Sequence, residues 1–268
     1  MKYRIDHDYH IHSQLSSCSG DPEQTPARIL RYAEENGFDK ICLTDHYWDE
    51  TVPGASDWYA PQNTPHIEQA LPLPQSEKVR FLFGCETDMD KFCTIGISEK
   101  MLQKLDFIII PTTHLHMMGF TIDPKDDSPE RRAALYAERL DRLLSMSLPF
   151  HKIGVAHLTC PLVFRREVFD KLSVLEVLDR IDDGTYRELY SRMAKLGAGF
   201  ELNFNFSAYQ GADVDRALRP YRIAKACGCK FYFGSDAHTP KGLDKAPENF
   251  RAIADALDLQ EEDKFLLQ

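Results

Sequence analysis

Long apolar runs are missing from this chain of 268 residues, since no stretch approaches the roughly 18 consecutive apolar residues of a membrane span. The charged N-terminus, "MKYRIDHDYH", lacks the apolar segment of a secretory signal. We therefore expect no membrane partner and a cytoplasmic protein. In that compartment the seven cysteines would be reduced thiols rather than a disulfide framework.

The chain contains fewer basic than acidic residues. The chain has 32 lysines and arginines against 42 acidic residues, which gives a formal net charge of -10. A general nucleic-acid or anionic-membrane surface needs clustered basic side chains, so we expect no nucleic-acid partner. A local basic pocket for a small anion is compatible with this composition.

Several catalytic signatures are also missing. The sequence contains no "GxSxG" elbow, no Walker phosphate loop and no "GxGxxG" fingerprint. Their absence disfavours acyl hydrolases, P-loop enzymes and Rossmann dehydrogenases.

What the sequence does contain is a series of short β-rich runs separated by helical stretches, the pattern of a parallel β/α fold. Residues 25–36 and 129–146, for example, carry apolar side chains at helical spacing. A barrel of this length commonly forms one unit, so we predict a single domain over residues 1–268. Oligomeric state is left open.

Polar side chains follow each predicted strand at its C-terminal end. The seven predicted strands end, in chain order, at His10 and His12, at Asp45 and His46, at Glu86, at His114, at His157, at Glu201 and Asn203, and at Asp236 and His238. Parallel barrels build their active sites on this rim from many different strands. A scatter of structural histidines would show no such preference for strand ends.

The rim residues have the chemistry of metal ligands. Imidazole and carboxylate donors together suit zinc, iron or manganese. Nine side chains are candidate ligands: His10, His12, Cys18, His46, Glu86, His114, His157, Asp236 and His238. Because one tetrahedral ion needs about four donors, we expect two or three divalent ions. We predict that Glu86, alone on its strand, bridges two of them.

Six ordered motifs, "DYHIH", "TDH", "GCE", "TTHLH", "VAH" and "GSDAH", resemble those of the PHP (polymerase and histidinol phosphatase) family of metal-dependent phosphoesterases. The resemblance covers residues 6–240. It implies an α/β fold of the distorted (β/α)7 TIM-like barrel type, which agrees with the seven strands.

The resemblance also implies how the ligands are shared. One ion would be held by His10, His12, Glu86 and Asp236, a second by Glu86, His114 and His157, and a third by His46 and His238. Cys18 stands where family phosphatases often carry a further histidine for the third ion. Its thiolate would complete that site, or Cys18 is an inert small residue beside it.

Substrate residues are predicted in the segments that follow the strands. Residues 47–78 contain both tryptophans and are expected to form a lid loop on the catalytic rim. His116 is a candidate general acid or a residue supporting the ligands. Arg165, Arg166 and Lys241 follow rim strands and are the candidate phosphate-binding cations.

The predicted function is hydrolysis of a small phosphorylated metabolite, with histidinol phosphate as the leading substrate. Divalent ions lower the pKa of bound water to about 7, which provides a hydroxide for in-line attack on phosphorus. One alternative is an amidohydrolase, a class that also opens with His-x-His but usually has a rim lysine. Another is a non-catalytic, proofreading-associated metal domain partnered to a polymerase.

Overall fold

The computed structural model describes residues 1–157, 159, 161–163, 171–203 and 209–267. Its strands are His7–Ile11 (β1), Lys40–Leu43 (β2), His46–Tyr47 (β3), Arg80–Phe83 (β4), Cys85–Thr87 (β5), Ile108–Ile110 (β6), Ile153–Val155 (β7), Gly199–Leu202 (β8) and Lys230–Phe233 (β9). Its α-helices are Pro26–Asn36 (α1), Thr64–Ile67 (α2), Glu99–Lys104 (α3), Pro129–Leu144 (α4), Lys171–Asp179 (α5), Asp183–Leu196 (α6), Ala212–Ala226 (α7) and Pro240–Ala256 (α8).

The strands are parallel and form two hydrogen-bonded sheets, ordered β1-β2-β4 and β3-β5-β6-β7-β8-β9. Only two residues separate β2 from β3, and Gly84 alone separates β4 from β5. Each of these pairs is therefore one interrupted strand. Counted this way, the strands of the described residues occupy seven positions, so the predicted α/β architecture and strand number are confirmed.

The first and last strands meet at their C-terminal ends. Asp236 N donates to His10 O at 2.8 Å, and His12 N donates to Ala237 O at 3.1 Å. The Gln24 side chain, which is fully buried, donates from Nε2 to His12 O at 2.9 Å and to Ala237 O at 3.2 Å. These bonds bring the β1 edge of the first sheet to the β9 edge of the second.

Helix boundaries follow the local sequence. Helix α1 begins after Thr25, whose side chain accepts from Arg28 N, and it has Pro26 in its first turn. It ends at Gly37, which adopts a left-handed φ of 68°.

The strand interiors are apolar and buried, as at Ile108 and Ile110. No helix of the described residues is long and apolar enough to cross a membrane.

Replacing Gln24 with leucine tests the junction of the first and last strands. The change keeps the side-chain volume but removes both donated hydrogen bonds, so the free energy of unfolding should fall by about 1–3 kcal/mol. Urea unfolding measures it. Gln103→Leu on α3, where the side chain is exposed, is the control and should change stability by less than about 0.5 kcal/mol. Equal losses of unfolding free energy in both variants would contradict the stabilising role of the Gln24 hydrogen bonds at this junction.

Candidate functional site

A buried carboxylate lies at the centre of the rim. Glu86, in the middle of β5, is 1% exposed, and neither of its side-chain oxygens has a hydrogen-bond partner. Ring nitrogens surround it at 3.0 Å for His46, 3.1 Å for His157, 3.4 Å for His12, 3.5 Å for His10 and 4.0 Å for His114. Carboxylate oxygens without donated hydrogen bonds, surrounded by ring nitrogens, fit a cation held between these groups.

The potential ligand atoms form overlapping groups. In each group these atoms lie within 4.8 Å of one another. The groups are His10, His12, Glu86 and Asp236; Glu86, His114 and His157; His12, His46 and His238; and His10, His157 and Glu201. The first two coincide with the two sets implied by the sequence resemblance. The third adds His12 to His46 and His238.

Several histidines have the nitrogen on the far side of the ring held by an acceptor. Nδ1 of each lies near a partner: His10 2.6 Å from Glu201 Oε1, His12 2.9 Å from Ser16 Oγ, His114 3.0 Å from Asp88 Oδ2, and His238 2.8 Å from Asp236 O. An acceptor at Nδ1 favours the tautomer that carries its proton there. Each ring is then left with Nε2 as a free electron-pair donor, as metal-bound histidines require.

The sequence also predicts that Asp8, Asp45, Glu201 and Asn203, which lie on or after rim strands, support the ligands by hydrogen bonds. Glu201 does contact one of them, with its Oε1 2.6 Å from His10 Nδ1. Asp45 does support the ligands, because it accepts from the Ser16 hydroxyl at 2.7 Å and Ser16 in turn contacts His12. Asp8 instead holds the backbone, accepting from His10 N at 3.3 Å and Ser235 N at 3.0 Å. Asp88 was missed, although it follows Glu86 by two residues and shares its strand face.

The charges at the site match a cation. Burial favours neutral acids, but the positive charges of nearby histidines outweigh it and hold the pKa values of Glu86 and Asp236 below their usual range. Burial and the neighbouring His12 lower the pKa of His238 to about 3, and burial also lowers that of His46. The ionised carboxylates and the neutral rings of His46 and His238 have the protonation states that metal binding needs. At His10, His12 and His157 burial favours the neutral ring, but the neighbouring carboxylates outweigh it and raise the pKa, so these rings would release protons when a cation binds.

Two of the candidate ligands have unusual backbone angles. His157 has a φ of 36° and Asp236 a φ of 52°, in the left-handed region that few residues other than glycine adopt. Such conformations cost free energy and are concentrated at functional sites. Both residues follow strands, β7 and β9, at the rim.

A cavity of about 530 Å³ opens above this cluster. It is lined by Cys18, His46, Trp58, Tyr59, Glu86, His114, His116, Met117, His157, Leu162, Asp236 and His238. Metal-type donors and an aromatic and aliphatic surface thus border one space. A cavity of this size accommodates a small organic ligand.

The aromatic residues of the 47–78 segment divide into two roles. Tyr47 and Trp48 are buried and pack the segment onto the fold. Trp58 is 38% exposed, and its ring lies edge-on to His46 with centroids 5.0 Å apart. Tyr59 is buried yet also borders the cavity. The cavity-facing part of the segment is therefore Trp58 and Tyr59.

The predicted substrate residues are placed differently from one another. His116 lines the cavity, with its ring centroid 5.3 Å from that of His114. Lys241 is exposed in the first turn of α8 and is not among the described residues that line the cavity. Arg165 and Arg166 lie outside the described residues.

Cys18 borders the cavity but stands apart from the donor groups. Its sulfur belongs to none of the groups found among the described residues. Burial, together with the negative charges of Glu86 and Asp236, raises the pKa of its thiol to about 12. The thiol is therefore protonated at neutral pH when no ion is bound, and only direct contact with a cation would convert it to the thiolate.

Fold and site together define a parallel β/α protein with a cluster of histidines and carboxylates able to hold several metal ions. The sequence matches the PHP domain over residues 8–205, and the chain belongs to this family. No curated protein matches the sequence significantly.

Two solved structures share the fold. The histidinol phosphate phosphatase of Lactococcus lactis subsp. lactis Il1403, complexed with zinc, L-histidinol and phosphate, superposes with a TM-score of 0.61 at 18% identity, over 97% of this chain and 98% of that one. A putative histidinol phosphatase of Listeria monocytogenes gives a TM-score of 0.55 at 14% identity, over 91% of this chain and 99% of that one.

The placement of Cys18 predicts that it is not a ligand. Cys18→Ala should leave the number of metal ions per chain unchanged, as measured by elemental analysis of purified protein. Alkylation of Cys18 in the unmodified protein should proceed at the same rate with and without a chelator. A loss of about one ion in the variant, with chelator-dependent alkylation, would instead assign the sulfur to the third ion set.

Proposed function

We propose that the protein is a metal-dependent phosphomonoesterase that acts on a small phosphorylated metabolite, with histidinol phosphate as the leading candidate. The observation that carries this proposal is the buried Glu86 carboxylate, which has no hydrogen bond and is surrounded by imidazole nitrogens at 3.0 to 4.0 Å. Membership of the PHP domain family supports it.

We assign two or three divalent ions to the cluster. Glu86 would contribute to two ion sets, one with His10, His12 and Asp236 and one with His114 and His157, as the donor groups indicate. The third set would be His46 and His238, with His12 in the same donor group. Zinc, iron and manganese all suit this mixture of nitrogen and oxygen donors.

Divalent ions at such a site activate water and neutralise the charge of a phosphate group. The chain itself supplies the orientation. Glu201 and Asp88 fix the rings of His10 and His114, and the β-strands hold the donors at the rim. His116, which borders the cavity, is the proposed general acid toward the leaving group.

The cavity supports an organic group of modest size. Trp58, Tyr59, Met117 and Leu162 provide an apolar surface beside the donor cluster. A flat ring next to the phosphate would contact Trp58, which remains 38% exposed at this surface. The structural relative bound to L-histidinol and phosphate makes the phosphate ester of an imidazole-bearing alcohol the first substrate to examine.

The two alternatives have less support. An amidohydrolase usually places a lysine at the metal centre, and no lysine borders the cavity in the described part of the chain. A non-catalytic polymerase-associated domain would not need a cavity of about 530 Å³ over the donor cluster. Hydrolysis of an amide would favour the amidohydrolase. Failure to hydrolyse any phosphate ester would favour the non-catalytic domain.

Glu86→Gln should abolish most of the phosphatase activity. The amide cannot replace a bridging carboxylate, so the variant should lose at least one ion per chain and its turnover should fall by about three orders of magnitude or more. Elemental analysis and phosphate release from histidinol phosphate measure the two effects.

Glu188→Gln, exposed on α6, is the control for Glu86→Gln and should match the unmodified protein in both measurements. Unchanged metal content and turnover in Glu86→Gln would refute the metal assignment. Normal metal content in the unmodified protein without release from any phosphate ester would refute the phosphatase.

Trp58→Ala should raise KM for histidinol phosphate by about tenfold or more, with a smaller change in kcat, because the side chain contacts the organic group rather than the phosphate. Phe92→Ala is the control, since Phe92 is also a large exposed apolar residue, 77% exposed, but does not border the cavity. If both variants behave like the unmodified enzyme, Trp58 does not contact the substrate.

A further inference from the structure

Asp88 is a buried carboxylate that belongs to none of the donor groups. It follows β5, two residues after Glu86, and is fully buried. Its Oδ2 lies 3.0 Å from His114 Nδ1 and accepts from the Tyr59 hydroxyl at 3.2 Å. Its Oδ1 accepts from Met89 N at 2.8 Å. The carboxylate therefore contacts both a candidate ligand and a residue that borders the cavity.

A buried arginine offsets the charge of Asp88. Arg139, on α4, is 2% exposed, and its Nη2 lies 3.9 Å from Asp88 Oδ1. The same guanidinium donates to Met89 O at 2.7 Å and to Thr112 O at 2.9 Å. Arg139 thus ties together the segments after β5 and β6, which carry Asp88 and His114.

Among the five rings around Glu86, His114 is the one least closely held by that carboxylate. Its Nε2 is 4.0 Å from Glu86 Oε1, the longest of the five approaches to that carboxylate. On its other side it stacks on His157, with centroids 4.7 Å apart and planes 18° apart. Stacking is compatible with either of the two ring orientations related by a 180° flip about the Cβ–Cγ bond, whereas the contact from Nδ1 to Asp88 selects one of them.

We propose that Asp88 is a positioning residue that holds His114 in the orientation and tautomer needed to bind the ion shared with Glu86 and His157. The inference rests on the proposed metal centre. Asp88 acts through His114 and touches neither the ion nor the substrate. Removing such a carboxylate from a metal-binding histidine typically lowers metal affinity by about 10- to 100-fold.

The test compares Asp88→Asn with Asp90→Asn. Asp90 is a matched control, because it lies in the same segment, is 5% exposed and caps the loop by accepting from Phe92 N at 2.8 Å and Thr94 N at 2.7 Å. Each metal-loaded protein is dialysed against increasing concentrations of a chelator such as dipicolinate. The ions retained per chain are then measured by elemental analysis.

We expect Asp88→Asn to lose one ion at a chelator concentration about 10- to 100-fold lower than the unmodified protein requires. The remaining ions should be lost at the unmodified concentrations, and Asp90→Asn should match the unmodified protein throughout. In a His114→Ala background, Asp88→Asn should cause no additional loss, since its effect passes through that ring.

Other outcomes are distinguishable. An unmodified protein without any ion would refute the proposed function itself. Equal retention in Asp88→Asn and the unmodified protein, or equal weakening in the Asp88 and Asp90 variants, would overturn the positioning role. Should Asp88→Asn fail to fold, Asp88→Glu keeps a negative charge beside Arg139 but displaces the carboxylate from His114. Unchanged retention in that variant would overturn the proposal.

Discussion

A carboxylate enclosed by imidazoles is the interaction on which the rest of the structure depends. Burying an ionised group is costly unless opposite charge or hydrogen bonds compensate for it. Glu86 is buried without a hydrogen bond, and its compensation comes from the surrounding rings, or from the ions proposed here. Those rings stand on different strands, so their convergence requires a curved parallel sheet whose strand ends meet at one place.

The scaffold supplies this convergence through backbone bonds and a shell of buried acceptors. Hydrogen bonds between β1 and the segment after β9 bring His10 and His12 beside Asp236. Glu201, Ser16 and similar acceptors then fix individual rings from behind. Donors oriented in this way are preorganised for a cation, which would reduce the conformational entropy lost on binding.

The two sides of the cavity have different chemistry. Donors on the strand ends suit ions and phosphate, while Trp58, Tyr59 and Met117 form an apolar surface for an organic group. This separation allows the metal chemistry to stay constant while the loops change the substrate. Tyr59 connects the two sides. It borders the cavity and donates to Asp88, which in turn contacts His114 of the donor cluster.

The sequence by itself determined the parallel β/α fold, the seven strands and the rim position of the donors, because apolar periodicity and strand ends are local properties. It also identified the family through six ordered motifs. Side chains two apart on a strand point to one face, which applies to His10 and His12, and their Nε2 atoms lie 3.0 Å apart.

Only the tertiary structure decided which donor each supporting residue contacts and which aromatic side chains reach the cavity. Glu201 contacts His10 across 191 positions of the chain, and periodicity carries no information about such distances. The same limit applies to Trp48 and Trp58, which have similar sequence surroundings but different burial. Cys18 could be placed near the cluster from its spacing, yet its distance from the donor groups is fixed by packing between distant segments.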